Sequence, residues 1–197
     1  MRQKTDDPAH PGGPPRGRRS GVVHVCPLSE VPSVVERARA SHLVTLLQSD
    51  IPVTTPPGIT DGLHLRLEVH DISEPLFDQV APDASHVRRL IAFAESWGGE
   101  GPMVVHCWAG ISRSTAAAFT SLCLVNPEVP EAAIARALRA ASPTAQPNRL
   151  IVRLADDLLG RNGRMLAAVE AMGPAVPAYA ARPFSLQADP GWLGMAR

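Results

Sequence analysis

The stretch Pro102-Met103-Val104-Val105-His106-Cys107-Trp108-Ala109-Gly110-Ile111-Ser112-Arg113-Ser114-Thr115 runs from an apolar, strand-like segment through a tight loop into an alanine-rich, helix-like one. A strand that enters a short loop and then a helix aims the loop amides and the helix N-terminus at one spot, where they favour a bound anion. Cys107 opens this loop and Arg113 closes it. The partial positive charge that holds an anion also stabilises a thiolate, so Cys107 reads as a nucleophile at neutral pH rather than an inert thiol. Arg113 adds a planar fork of donors suited to two phosphate oxygens. The segment is a phosphate cradle with sulfur at its centre.

Working outward, residues 63–69 alternate apolar and polar and predict a strand with one face buried, ending at His70-Asp71. Residues 22–28 predict a first strand, 31–40 a short helix and 43–47 a second apolar strand, followed by a Pro- and Gly-containing loop over 48–62. Val87, Leu90, Ile91, Ala94 and Trp97 share one face at helical spacing, which predicts a core helix leading back to the Pro102 strand. After the cradle, helices are expected near 113–124, 131–141, 149–159 and 164–172, with Gly160 and Gly173 as stop signals. Strands interleaved with helices, then a helical C-terminal half, describe an α/β fold: a central sheet flanked by helices. Residues 21–173 form the expected domain. Residues 1–20 are Pro, Gly and charge with little to bury, and predict a disordered leader. Residues 174–197, rich in Pro, Gly and Ala and carrying Tyr179 and Trp192, predict a disordered tail.

The 19 basic and 19 acidic residues cancel and are interspersed, apart from the short Arg16, Arg18, Arg19 cluster, which argues against a nucleic-acid interface. Cys26, Cys107 and Cys123 show no metal-ligand spacing, so neither metal nor cofactor is expected, and an odd cysteine count suits a reducing cytoplasm. Without an apolar leader or a membrane-length apolar stretch, a cytoplasmic protein acting as a monomer, away from membranes, is expected.

His106 before the cysteine, Ala109-Gly110 at the turn, Ser112 beside the arginine and Ser114 after it complete the pattern His-Cys-x-Ala-Gly-x-Ser-Arg-Ser. In this the chain resembles the cysteine-dependent protein tyrosine phosphatases, in the form of their dual-specificity branch and its small bacterial relatives. The resemblance implies that Cys107 attacks phosphorus and carries a phosphocysteine. It implies that the amides of Trp108, Ala109, Gly110, Ile111, Ser112 and Arg113 hold the phosphoryl oxygens, in a reaction driven by positioning and charge neutralisation. Ser114 would hydrogen-bond the sulfur and ease its departure, and His106 would hold the loop without titrating in the reaction.

Such chemistry also needs a proton for the leaving oxygen, commonly worth roughly 10²–10⁴-fold. The resemblance places the acid on a loop just after a strand ahead of the cysteine, where Asp71 fits; Glu74 and Asp78 lie on the same loop as rivals. Pro147-Asn148 resembles the Pro-Asn pair ahead of the last core helix in many dual-specificity phosphatases, although their Arg-Pro and downstream Phe and Gln are missing. Asn148 therefore reads as the N-cap of the helix from Arg149, alone or together with support of the cradle. Cys26 and Cys123 read as buried small residues, in preference to a resolving role for Cys26.

Other readings compete. Low-molecular-weight phosphatases and arsenate reductases carry the cysteine loop near the N-terminus and the acid near the C-terminus, the reverse of the order here. Rhodanese-type sulfurtransferases need neither the Arg-Ser pair nor an acid. A lipid or inositol phosphate phosphatase would add basic side chains to the cradle to meet extra phosphates, and Trp108 to Ser112 carry none, while a phosphatase acting on another non-protein phosphate ester stays as an alternative. A phosphopeptide-binding module built on an inactive phosphatase would not need an intact Cys107, Arg113 and Asp71. The expectation is hydrolysis of phosphate monoesters, with protein phosphotyrosine ahead of small phosphate esters.

Overall fold

The computed structural model describes residues 20–74, 76–189 and 191, and its organising strand is the one that feeds the cradle. Met103, Val104 and Val105 of β4 (Pro102–Cys107) are fully buried, as a central strand covered on both faces requires. On either side lie β1 (Val22–Pro27) and β2 (His42–Leu47), both parallel to β4. β3 (His64–Glu68) pairs parallel with β2, and β5 (Phe184–Gln187) pairs antiparallel with β1. The strand order is β3-β2-β4-β1-β5. Because β1 to β4 are mutually parallel, the segments that leave them gather at one edge of the sheet, where α/β sheets bind ligands. Pro27, Asp71 and the cradle are brought together there by topology.

α1 (Val31–Ala38) covers one face, packing Val31, Val34 and Val35 against Cys26, Leu43 and Val104. The other face carries α2 (Ala84–Trp97), α3 (Arg113–Val125), α4 (Glu131–Ala141), α5 (Arg149–Leu158) and α6 (Arg164–Glu170) over Val25, Val44, Leu46 and Val105. α3 is buried on every side at Ala116, Ala117, Ala118 and Phe119. Its alanines allow close approach of the sheet and of α2, α4 and α5, which is how a helix apolar all round is accommodated. Among the described residues no helix is long and apolar enough to cross a membrane.

The C-terminal segment corrects one expectation. Residues 174–197 were predicted to be a disordered tail, yet Phe184–Gln187 add β5 to the sheet, and Ala181 and Ala188 are buried. The Ala188 amide donates to the Gly21 carbonyl at 2.8 Å, and the Asn126 side chain donates to the Ala188 carbonyl at 2.9 Å. The strand closes the edge of β1, which would otherwise present unpaired backbone groups. The domain expected to close at residue 173 therefore takes in this strand. Tyr179 is 90% exposed, while Trp192 and residues 1–19 of the leader expected over 1–20 lie outside the described residues.

Candidate active site

The loop between β4 and α3 is held from outside by its carbonyls. The Leu28 amide donates to Trp108 O at 3.1 Å, Ala181 to Ala109 O at 2.8 Å, Gln146 to Ile111 O at 2.9 Å and Asn148 to Ser112 O at 3.3 Å. In a trans peptide the N–H points opposite to the C=O. Anchoring these carbonyls outward therefore turns the amides of Ala109, Gly110, Ser112 and Arg113 toward the interior of the loop. One of the anchors, Ala181, belongs to the segment whose order the sequence did not reveal.

Gly110 makes this path possible. Its φ is +72°, and a Cβ there would lie 2.8 Å from both the carbonyl carbon of Cys26 and the nitrogen of Pro27. Both the left-handed backbone and the close approach exclude a side chain. Gly110→Ala is expected to destabilise the protein by at least about 2 kcal/mol, as a lower urea midpoint with an unchanged slope.

Inside the loop Cys107 is 1% exposed, and its Sγ lies 3.2 Å from Ser114 Oγ. Arg113 is buried, and its Nη1 donates to the Val69 carbonyl at 2.8 Å, which fixes the guanidinium plane from the end of β3. Its Nε makes no hydrogen bond among the described residues. It lies 3.7 Å from Asp71 Oδ2. A buried, charged donor without an acceptor is costly, and a phosphate oxygen would relieve it.

Asp71 sits beside this donor. Its Oδ1 accepts from Ser112 Oγ at 2.7 Å and from Asn148 Nδ2 at 2.9 Å. Ser112 occupies the N-cap position of α3 but spends no hydroxyl bond on that helix, so the first-turn amides carry no side-chain cap. Asn148 Oδ1 accepts from the Leu150 and Ile151 amides at 3.1 Å and caps α5, while its Nδ2 donates to Asp71. Glu74 and Asp78 stay exposed on the loop and make no hydrogen bond or ion pair with described residues.

His106 is fully buried, its Nε2 lies 2.6 Å from Thr45 Oγ1, and its Nδ1 lies 3.4 Å from the Cys107 carbonyl oxygen. Burial pushes its pKa down to about 4, so it is neutral at pH 7. Burial lowers His24, His42 and His64 in the same direction. Between the ordinary histidine value of 6.5 and about 4, the unfolded chain therefore binds protons that the folded chain does not. Stability is complete above 6.5 and falls as pH drops through that window. Urea midpoints at pH 7 and pH 5 should show the loss, and equal midpoints would contradict it.

Sequence reasoning missed Thr45, because its place beside His106 follows from the pairing of β2 with β4. Cys26 packs with α1 on the face of the sheet opposite the cluster that holds Cys107, and burial raises its thiol to about 12. Burial also raises the Cys123 thiol.

The family model described as protein-tyrosine phosphatase matches residues 77–141, which include Cys107 and Arg113 but neither Asp71 nor Asn148. Rat dual specificity protein phosphatase 15 is 29% identical over 118 residues, covering 59% of this chain and 45% of the rat protein. The matched region thus spans under half of that relative. Among solved structures, DUSP15 superposes with a TM-score of 0.55 at 20% identity, over 77% of this chain and 96% of that one. The human tyrosine phosphatase-like serine/threonine/tyrosine-interacting protein superposes at 0.53 and 16% identity, over 73% and 99%. At these identities the superpositions establish the shared fold.

Proposed function

We propose that the chain is a member of the cysteine-dependent protein tyrosine phosphatase superfamily, in its dual-specificity-like form, and that it hydrolyses phosphate monoesters, protein phosphotyrosine above all. The observation that carries this reading is the convergence, at one sheet edge, of a buried sulfur, an arginine Nε without an acceptor among the described residues and a carboxyl held beside it.

In the first step Cys107 Sγ attacks phosphorus, the bond to the leaving oxygen breaks, and Asp71 gives that oxygen its proton. The inward amides and the Arg113 fork hold the phosphoryl oxygens where charge develops. In the second step water attacks the phosphocysteine, Asp71 takes the water's proton, and Ser114 donates a hydrogen bond to the departing sulfur. Inorganic phosphate leaves and Cys107 is restored. Asn148 and Ser112 act by orienting Asp71, and His106 by holding the loop.

A protein substrate is supported by exposed apolar groups on the cradle and on the loop that carries Asp71: Trp108 is 50% exposed, Leu76 54% and Phe77 100%. The uncharged cradle supports a monoester without further phosphates. The three free cysteines suit a reducing cytoplasm, and the chain is taken to act as a monomer. The decisive experiment is a kinetic panel of an aryl phosphate, phosphotyrosine and phosphoserine peptides and a phosphoinositide. The highest kcat/KM is expected on phosphotyrosine. Binding of phosphopeptides without phosphate release from any member would favour the binding-module reading instead.

Arg113→Lys keeps the charge but not the two parallel donors, and an ammonium cannot occupy both the Val69 and the phosphate positions. A loss of at least about 10²-fold in kcat/KM is expected, on the order of 2.7 kcal/mol of transition-state stabilisation. Near-normal activity would make the arginine structural.

A further inference from the structure

A line of side chains outside the cradle connects His106 to solvent. His106 Nε2 lies 2.6 Å from Thr45 Oγ1, which lies 2.8 Å from His64 Nε2. His64 Nδ1 lies 3.0 Å from Thr55 Oγ1, which accepts from Arg66 Nη2 at 2.7 Å. All five groups lie on the α1 side of the sheet or in the loop before β3. Exposure rises along the line: His106 and Thr45 are buried, His64 and Thr55 half-buried, Arg66 exposed.

The inner end fixes every proton along the line. Arg66 can only donate and the Cys107 carbonyl can only accept. At the inner end, His106 must carry its proton on Nδ1 to reach that carbonyl. Burial keeps the ring neutral, so Nε2 is an acceptor and the Thr45 hydroxyl donates to it. Thr45 has one proton, so its oxygen then accepts from His64 Nε2–H. His64, held neutral by burial and by Arg66, has a bare Nδ1 that accepts from the Thr55 hydroxyl. Thr55 Oγ1, its own proton given to His64, accepts the hydrogen bond that Arg66 Nη2 donates.

We infer that Arg66, Thr55, His64 and Thr45 form a one-way hydrogen-bond chain that locks His106 as the Nδ1–H tautomer and so fixes the Cys107 peptide that carries the nucleophile. Thr45 and His64 are positioning residues, with no contact to the reacting atoms. Aligned bonds of this kind polarise one another, and the chain holds the carbonyl end of Cys107 from behind while Ser114 contacts its sulfur in front. The consequence for rate holds only if Cys107 is the nucleophile of the proposed phosphatase reaction; the ring tautomers do not depend on it.

Proton–nitrogen correlation NMR of the imidazoles reads the chain directly. In the wild-type protein His106 should be the Nδ1–H form and His64 the Nε2–H form. The opposite tautomer at either ring would overturn the assignment without any variant. Thr45→Val keeps the shape of the side chain and removes the hydroxyl, so His106 should become a mixture of tautomers. On an aryl phosphate, kcat should fall about tenfold, the scale of one buried hydrogen bond, with KM nearly unchanged. Thr45→Ser should restore both the single tautomer and the rate. A His106 ring that stays wholly Nδ1–H in Thr45→Val, or a shifted tautomer with an unchanged kcat, would contradict the chain's positioning role. A wild-type protein inactive on every substrate would remove the phosphatase reading and leave the tautomers to judge the chain.

Discussion

Cys107→Ser is expected to abolish turnover while binding of phosphate-like oxyanions survives. The substitution replaces the nucleophilic sulfur with a hydroxyl that is a far weaker nucleophile at neutral pH. It leaves in place the inward amides, whose orientation is fixed by carbonyl anchors on Leu28, Gln146, Asn148 and Ala181, and it leaves Arg113 held by Val69. Loss of chemistry and retention of binding should therefore separate. Tungstate or vanadate titrated by calorimetry measures the second, and phosphate release the first. Substantial hydrolysis by purified Cys107→Ser would rule out a covalent route through this residue.

Asp71→Asn should cost roughly 10²–10⁴-fold on phosphotyrosine, the contribution expected of a general acid. Asparagine retains a carbonyl oxygen that can accept from Ser112 and Asn148, so the loop should keep its place, while the transferable proton and the carboxylate facing Arg113 Nε are lost. The test is the leaving group. Phenol of tyrosine leaves poorly without protonation, whereas an activated nitrophenol-like ester needs little help, so the loss should shrink on that substrate. A carboxyl with only a structural role would impair both esters alike. If Asp78→Asn or Glu74→Gln showed the leaving-group dependence while Asp71→Asn did not, the acid would be misassigned.

The parts of the molecule that were legible in the sequence are those written locally. The strand, loop and helix of the cradle carry their reading in consecutive residues, and the helices from Ala84 to Glu170 follow from apolar spacing and glycine stops. Asn148 was legible as a cap because its partners are two and three residues away. Its bond to Asp71 spans 77 residues, and that of Ser112 to Asp71 spans 41, so neither has a local signature. β5 was illegible for a different reason. Four residues after a Pro- and Ala-rich stretch give too short an alternation to read, and what orders them is the open edge of β1, set by the whole sheet. The polar face of β3 read as solvated, because His64 and Arg66 alternate with leucines. Only the register of β2 against β3 and β4 brings Thr45 between His64 and His106.

In the proposed reaction a phosphoryl group is carried on Cys107. Ser114→Ala, which removes the donor to the departing sulfur, should slow the second step and let the intermediate accumulate. Acid quench of this variant during turnover of an aryl phosphate, followed by mass spectrometry of the peptide spanning Cys107, measures it directly. The added mass of one phosphoryl group on Cys107, absent in the double variant with Cys107→Ser, is the predicted result. Continued turnover with Cys107 unmodified at every quench time, or phosphate recovered on another residue, would contradict it.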